Sequence, residues 1–305
     1  MWRQDTHTLL QFTDVGPNLG NYKGKTLRER NGTRESISKH TAFSGPVRPP
    51  SLGLRNSDQH LLWFAVLIEE RLMTDTHNSR KPDYETLVNE RRSIRGYKPD
   101  AIPKSVIDEI IEIAKRAPSS MNTQPWHFHA VTGDPLEKIR EGNTERMMAG
   151  SAVDREIKMN HGYEGVHRDR QVEIAKQLFS AMGIERDDKP RRQDWVMRGF
   201  RQFDAPVSIV ITIDKALEHD TVAHFDCGAA TYGLVLAAWS KGLGSVINGQ
   251  GIMQSSVVRE YANIPEDQVI MTCVAMGYPN TEFVANDVRS LRAPNESVVS
   301  YIGFD

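Results

Sequence analysis

The sequence has few cysteines and no hydrophobic run long enough to cross a membrane. Its two cysteines, Cys227 and Cys273, belong to neither a CxxC motif nor a metal-binding spacing. They do not make a disulfide framework, and a reducing cytoplasm is their natural setting. The apolar run at residues 61–68 falls well short of the roughly twenty residues of a membrane span. It also lies too far along the chain for a secretory signal and lacks a small-residue cleavage site. We therefore expect a cytoplasmic protein.

The sequence also lacks an excess of charge of one sign. Lysine and arginine together number 38 and the acidic residues 40, which gives a net charge of −2 at pH 7. This balance gives no reason to expect nucleic acid or an anionic membrane as a partner. The histidines lack metal-binding spacing with carboxylate or thiol partners, so we expect no bound metal. An apolar content of 39% is ordinary for a globular protein.

The first part of the chain has a different composition from the rest. Residues 1–80 are rich in Arg, Asn, Thr, Gly and Pro, with little periodicity before the run at 61–68. Met73 offers a second possible start. We predict that residues 1–80 form an N-terminal appendage or an over-long start, outside a main domain at 81–305. The alternative is an arm that packs on a partner subunit through residues 63–67.

The main domain shows alternating helix and strand signals. Pro103 suits a first helical position, and apolar residues then recur at helical spacing until Pro118. Residues 141–203 are charged and only partly periodic, and we predict a lid or insertion there; a solvated excursion is the alternative. The remaining predicted elements are a strand at 126–131, a short helix from 134, helical pieces at 172–182 and 195–203, a strand at 206–213, a helix at 220–241, a short strand after 242, a helix at 255–261 and a strand at 269–276.

The long helix at 220–241 has two apolar stripes. The larger side chains form one stripe at Val222, Phe225, Ala229, Tyr232, Leu236 and Trp239, and smaller ones form a second at Cys227, Ala230, Leu234 and Ala237. A helix that is apolar on two faces needs burial on both. We therefore predict that this helix lies in a core or at a subunit interface.

The strongest functional signal is the segment Arg91-Arg92-Ser93-Ile94-Arg95. Guanidinium groups remain charged and bind phosphate oxygens bidentately, so such a cluster suits an anion. If the segment stood alone, a solvated charged face would be the better explanation. A second stretch, residues 117–128, supplies Ala-Pro-Ser-Ser-x-Asn-x-Gln-Pro-Trp-x-Phe.

Five motifs in this order resemble the FMN-dependent nitroreductase family. They are the two stretches above, the long helix followed by Gly-Leu-Gly, the strand ending in Met-Gly-Tyr-Pro, and the late Arg-Ser-x-Arg. The resemblance covers residues 84–292. It implies an α+β fold, a three-layer α/β/α sandwich with a mixed sheet and helices on both faces. It also implies a domain-swapped homodimer in which both chains build each flavin site.

The resemblance further implies the residues of an FMN site. The phosphate, ribityl chain and pyrimidine edge would be held by Arg91, Arg92, Ser93 and Arg95, with Arg289 and Arg292 joining them at the phosphate. The partner subunit would bring to the isoalloxazine ring Pro118, Ser119, Ser120, Asn122 and Gln124. The residues passing along the ring would be Val246, Ile247, Asn248 and Gly249, with a backbone N–H of one of the last two near N5.

The implied activity is reduction of nitroaromatic compounds by NADH or NADPH. Hydride would pass through N5 of the flavin in a ping-pong reaction, taking a nitro group to a hydroxylamine or amine. Aromatic residues that could stack on the substrate are Tyr163, Trp195, Phe200 and Phe203, although ordinary core or interface packing is the better explanation for each taken singly. The alternatives are other chemistry on the same scaffold (ene or quinone reduction, reductive dehalogenation or benzimidazole synthesis) and a flavin-binding module without turnover.

Overall fold

The computed structural model describes residues 83–158 and 162–304. Within these ranges, four strands form one sheet in the order β1-β2-β4-β3. The strands are β1 (Trp126–Thr132), β2 (Val207–Asp214), β3 (Gly244–Ile247) and β4 (Gln268–Gly277). The predicted appendage at residues 1–80 lies outside the described residues.

The helices agree closely with the predicted elements where the apolar spacing is regular. They are α1 (Tyr84–Glu90), α2 (Lys104–Ala114), α3 (Gly133–Met148), α4 (Gly165–Ala181), α5 (Lys189–Phe200), α6 (Thr221–Ser240) and α7 (Ser255–Tyr261). Across the described part of the chain, no helix combines the length and apolar character needed to span a membrane.

The two faces of the sheet are covered by different helices. On β2, Ile209, Ile211 and Ile213 are buried in one cluster with residues of α2 and α6. Val210 points the other way and packs with residues of α3 and α7. Alternation of side chains along a strand places successive residues on opposite faces, so β2 is buried on both. The predicted α+β fold with helices on both faces of the sheet is confirmed.

The sheet was predicted to be mixed, and its parallel pairing is limited to one bridge. All three strand pairs are antiparallel, and the parallel contribution among the described residues is the isolated bridge between Ser93 and Ser245. β2 and β3 run in the same direction and are connected through α6, as a strand–helix–strand unit predicts. β4 lies between them and runs antiparallel to both. The apolar periodicity of a strand carries no information about which strands lie beside it, so the sequence could not predict this strand order.

Helix α6 begins where the sequence predicts, and its two stripes have opposite environments. Asp220 caps the helix by accepting hydrogen bonds from the N–H groups of Val222 (2.8 Å) and Ala223 (3.3 Å). The stripe of smaller side chains is buried against the sheet. On the other stripe, Phe225 remains 78% exposed and Tyr232 42%. Among the described residues, therefore, the stripe of larger side chains is only partly covered.

The short helix predicted from residue 134 is wrong in length, because α3 spans 16 residues and extends past residue 141. Its buried side chains are Leu136, Ile139 and Asn143. Asn143 is fully buried and donates to the carbonyl oxygens of Gly251 (3.0 Å) and Phe200 (3.3 Å). A polar residue at a core position interrupts the apolar pattern, so the sequence underestimated this helix.

Candidate functional site

The arginine-rich segment runs beside strand β3. Ser93 forms a parallel bridge with Ser245, and the N–H of Ile94 donates to the carbonyl oxygen of Ser245 (3.0 Å). Gly244 permits this approach, since a Cβ there would lie 2.6 Å from a side-chain carbon of Ile94. The segment is therefore fixed at the sheet edge, next to the chain that leaves β3 at residue 247.

Arg91 is partly buried without a compensating charge. Its Nε is buried with no hydrogen-bond partner, and no carboxylate of the described residues forms an ion pair with it. Burial lowers the pKa of the Arg91 guanidinium, and the nearby charge of Arg292 lowers it further, while Tyr232 raises it. Arginines from the two ends of the described chain therefore lie close enough to repel each other. An oxyanion between them would relieve this repulsion.

Arg92 has a different environment from its neighbour. Its Nε donates to the carbonyl oxygen of Asn286 (2.6 Å), and its Nη2 lies 3.9 Å from a carboxylate oxygen of Asp287. The guanidinium also lies over the ring of Trp239, 5.4 Å from the centroid. Groups of the protein thus already contact Arg92 on several sides, so it is less available to an anion than Arg91.

A cleft of about 290 Å³ opens where β3 ends. Arg95 lies in the wall of this cleft. Burial lowers the pKa of its guanidinium, while Tyr97 raises it. Across the described ranges, the Arg95 guanidinium has no ion pair with a carboxylate. The cleft brings together six of the predicted site residues and adds three others; its lining is Arg95, Arg155, Phe203, Val246, Ile247, Asn248, Gly249, Gln250 and Met253.

Of the two backbone N–H groups predicted near a ring nitrogen, one is already bonded. The N–H of Asn248 donates to the carbonyl oxygen of Cys273 (2.8 Å), and its side-chain amide donates to the carbonyl oxygen of Gly199 (2.8 Å). Asn248 therefore ties the end of β3 to β4 and to α5. The N–H of Gly249 has no bond to another described residue, which leaves it as the donor that a ligand in the cleft can use.

The segment 118–124 lies on the surface, and none of its residues lines the cleft. The N–H of Ser120 donates to a carboxylate oxygen of Asp226 on α6 (2.9 Å), which fixes the segment beside that helix. Three of its residues have left-handed backbone: Met121 (φ 49°), Asn122 (φ 60°) and Gln124 (φ 48°). Met121 is 96% exposed. The described residues thus hold this segment in an uncommon conformation and leave most of it exposed.

The late arginines and the predicted aromatic residues are only partly brought to the site. Arg292 lies near Arg91, while Arg289 is exposed and contacts no acidic group of the described residues. Phe203 lines the cleft. The other three aromatic residues lie elsewhere: Phe200 is buried in the core, Trp195 stacks on Phe283 with ring centroids 6.4 Å apart, and Tyr163 is 56% exposed. Sequence alone does not show which face of a helix an aromatic side chain occupies.

Arg155 is the cleft residue that the sequence did not reveal. It follows α3 in a charged stretch, and its Nη2 donates to the carbonyl oxygen of Gly249 (2.9 Å). Burial lowers its pKa, while Cys273 acts in the opposite direction. The only signal in the sequence is an arginine between two acidic residues, Asp154 and Glu156, and that pattern is common on solvated surfaces.

Comparisons with known proteins agree with this geometry. The model of the nitroreductase family matches residues 88–278. The chain is 30% identical over 227 residues to the chloronitrobenzene nitroreductase of Comamonas testosteroni and, over the same length, to the nitrobenzene nitroreductase of Ectopseudomonas oleovorans, with 72% of this chain and 97% of each relative covered. Among solved structures, the FMN- and NADPH-dependent nitroreductase NfnB from Sphigopyxis sp. strain HMH superposes with a TM-score of 0.68 at 25% identity, covering 72% of this chain and 99% of that one. This chain belongs to the nitroreductase family.

Proposed function

We propose that this protein is an FMN-dependent oxidoreductase that reduces nitroaromatic compounds with NADH or NADPH. Its relatives include a chloronitrobenzene and a nitrobenzene nitroreductase. A similar solved structure is described as dependent on FMN and NADPH. These relatives support the oxidoreductase class and the predicted cofactors.

The observation that carries the proposal is the pair Arg91 and Arg292. The charge of Arg292 contributes to lowering the pKa of Arg91, so two guanidinium groups from distant parts of the chain lie within electrostatic reach of each other, and the Nε of Arg91 is buried without a partner. An uncompensated pair of cations is unfavourable unless a ligand supplies the opposite charge. The phosphate of FMN is a dianion whose oxygens match guanidinium forks, so these residues fit the predicted cofactor.

When bound, FMN would supply the redox chemistry, accepting a hydride at N5 from the nicotinamide and passing it to the nitro group in a second step. The protein would bind and orient the reactants. Arg95 in the cleft would stabilise negative charge at the pyrimidine edge of the ring. The N–H of Gly249 would hydrogen-bond a ring nitrogen, and Val246 and Phe203 would supply apolar walls that keep water away.

The exposed stripe of α6 supports a homodimer. Monomeric proteins rarely leave a large contiguous apolar patch uncovered, and Phe225, Val222 and Tyr232 are all exposed on one helix. The C-terminal tail is also exposed and apolar, with Ile302 at 87% and Phe304 at 79%. We propose that a second copy of the chain covers both features and brings its segment 118–124 to the neighbouring cleft; the hydrogen bond from Ser120 to Asp226, which holds this segment beside α6, supports the arrangement. This arrangement would give the exposed loop its predicted role.

The domain assignments also remain proposals. Residues 1–80 are proposed to lie outside the catalytic fold. Within residues 141–203, we propose α4 as the lid, because it has one buried residue, Leu178, whereas α3 and α5 have three each. We keep the cytoplasm as the proposed location, since both cysteines are free, buried thiols.

The test is spectroscopic and uses the full chain. The purified protein reconstituted with FMN should be yellow, should bleach on anaerobic addition of NADH or NADPH, and should recover its colour with nitrobenzene while a hydroxylamine or amine forms. Failure to bind FMN would contradict the cofactor assignment. Flavin binding without bleaching would favour a module without turnover. Bleaching without reoxidation by any nitro compound would favour other flavin chemistry.

A further inference from the structure

Arg155 is held in the wall of the cleft by anchors on both sides. The N–H of Asp154 donates to the carbonyl oxygen of Met253 (3.1 Å), and its carboxylate accepts from the N–H of Ser256 at the start of α7 (3.3 Å). On the other side, the carboxylate of Glu156 accepts two hydrogen bonds from Nη2 of Arg259 (2.7 and 2.8 Å). These contacts fix the backbone of Arg155 relative to α7.

The same anchors keep the neighbouring carboxylates away from the Arg155 guanidinium. Glu156 also accepts from the N–H of Ile270 on β4 (2.6 Å), so its oxygens are directed towards the sheet and Arg259. Asp154 is similarly occupied by Ser256 and Arg146. Arg155 is therefore flanked in sequence by two acids but forms an ion pair with neither.

The guanidinium of Arg155 retains unused hydrogen-bonding capacity at the cleft. Its Nη2 reaches the carbonyl oxygen of Gly249, and its Nε is buried without a partner. Arg95 lies in the same cleft, likewise without a carboxylate in the part of the chain that the structure describes. The remaining walls include the apolar side chains of Phe203 and Met253. A pocket with two uncompensated cations and apolar walls is suited to a molecule with an anionic group and a flat apolar body.

We propose that Arg155 binds the oxyanion of a reactant that enters this cleft, and so sets a preference for negatively charged partners. This inference rests on the proposed function. The oxyanion is either a carboxylate on the nitroaromatic acceptor or the 2′-phosphate of NADPH, and both match the guanidinium fork. Arg95 then remains available to the ring of the bound cofactor, so the two arginines have separate roles.

The two half-reactions distinguish these sources. Steady-state kinetics would compare 4-nitrobenzoate with nitrobenzene, and rapid reduction of the bound FMN would compare NADPH with NADH. The variants are Arg155→Met, Arg155→Lys and, as a control, Lys104→Met, which removes a positive charge from an exposed position on α2, away from the cleft and the proposed lid. Flavin content and the thermal midpoint of each variant are measured first.

The expected result is a change in one specificity ratio. Arg155→Met should lower the ratio of kcat/KM for the charged over the neutral partner by about tenfold or more in one half-reaction, the size expected for losing a charged hydrogen bond. Arg155→Lys should retain part of the preference, since the charge remains but the fork is lost. Lys104→Met should leave the ratios of the unaltered protein. A change in the acceptor ratio identifies the carboxylate, and a change in the nicotinamide ratio identifies the phosphate.

Three results would overturn the inference. They are unchanged ratios in both half-reactions, an equal change with Lys104→Met, and loss of FMN from Arg155→Met, which would assign the residue to the cofactor instead. If no nitro compound reoxidises the unaltered enzyme, the proposed function is contradicted, and the nicotinamide comparison alone decides the role of Arg155. If Arg155→Met does not fold, the Lys variant decides by the same ratios.

Discussion

Replacing Arg91 with methionine should affect the apoprotein and the FMN complex in opposite ways. A lowered pKa means that the folded chain favours the charged guanidinium less than the unfolded chain does. At neutral pH the group is protonated in both states, so its charge destabilises the folded apoprotein. Removing it should leave the free energy of unfolding of the apoprotein unchanged or higher. A structural arginine, paired within the protein, would give the reverse result.

The same substitution should weaken FMN binding. The loss of a charged hydrogen bond costs about 1.5–3 kcal/mol, which raises the Kd for FMN by about tenfold to a hundredfold. The assay is titration of the apoprotein with FMN, followed by quenching of flavin fluorescence, together with thermal unfolding of the apoprotein. Lys104→Met is the control, since Lys104 is exposed and its side chain pairs with Asp108 of its own helix.

Two outcomes would refute this reasoning. An unchanged Kd for FMN in Arg91→Met would remove Arg91 from the phosphate site. A lower thermal midpoint of the apoprotein, absent from the control, would show that Arg91 stabilises the fold through contacts of its own. Arg92→Met gives a useful contrast. Because Arg92 contacts Asn286 and Asp287, its removal should destabilise the apoprotein.

Three further predictions concern the dimer, the anchor of Arg155 and the thiols. Phe225→Asp should convert the proposed dimer to a monomer in light scattering, because burial of one phenylalanine contributes about 1.5–3 kcal/mol; a dimer of unchanged affinity would exclude this stripe from the interface. Glu156→Ala should lower the free energy of unfolding by about 2 kcal/mol in guanidinium chloride, since Arg259 loses its carboxylate; an unchanged midpoint would show that the pair contributes nothing. Burial raises the pKa of Cys227 to about 11 and of Cys273 to about 12, from an ordinary 9.0. Both thiols should therefore resist iodoacetamide at pH 8 in the folded protein, and labelling there would contradict their burial. The folded chain holds these two protons more tightly than the unfolded chain, so this stabilisation should be lost as the pH rises from about 9 towards 12.

The sequence predicted the elements in which apolar side chains follow one clear period. The helix after Pro103 is α2, the helix Ser255–Tyr261 is α7, and Asp220 caps α6 as expected. Helix α3 was underestimated because Asn143, a polar residue, occupies a buried position. Local pattern therefore identifies most elements, but a core position filled by a hydrogen-bonded side chain is recognised only when its partners are known.

The sequence predicted several of the residues that line the cleft, but not the environment of each side chain. The segment 91–95 and the residues after β3 do lie together, as the resemblance implied. The sequence could not show which guanidinium groups lack a partner. Arg92 contacts Asp287 and Trp239, while Arg155 reaches the cleft from a stretch with no motif. The availability of a charge depends on neighbours that are remote in sequence, and periodicity carries no information about them.

The position of β4 constrains the order in which this domain is completed. Strands β2 and β3 are made earlier on the ribosome, yet each has β4 as a neighbour, and β4 ends at Gly277. Until that residue has left the exit tunnel, β2 and β3 keep unpaired edges, which are prone to join other chains. Premature termination before Gly277 should therefore yield aggregates instead of a smaller soluble protein.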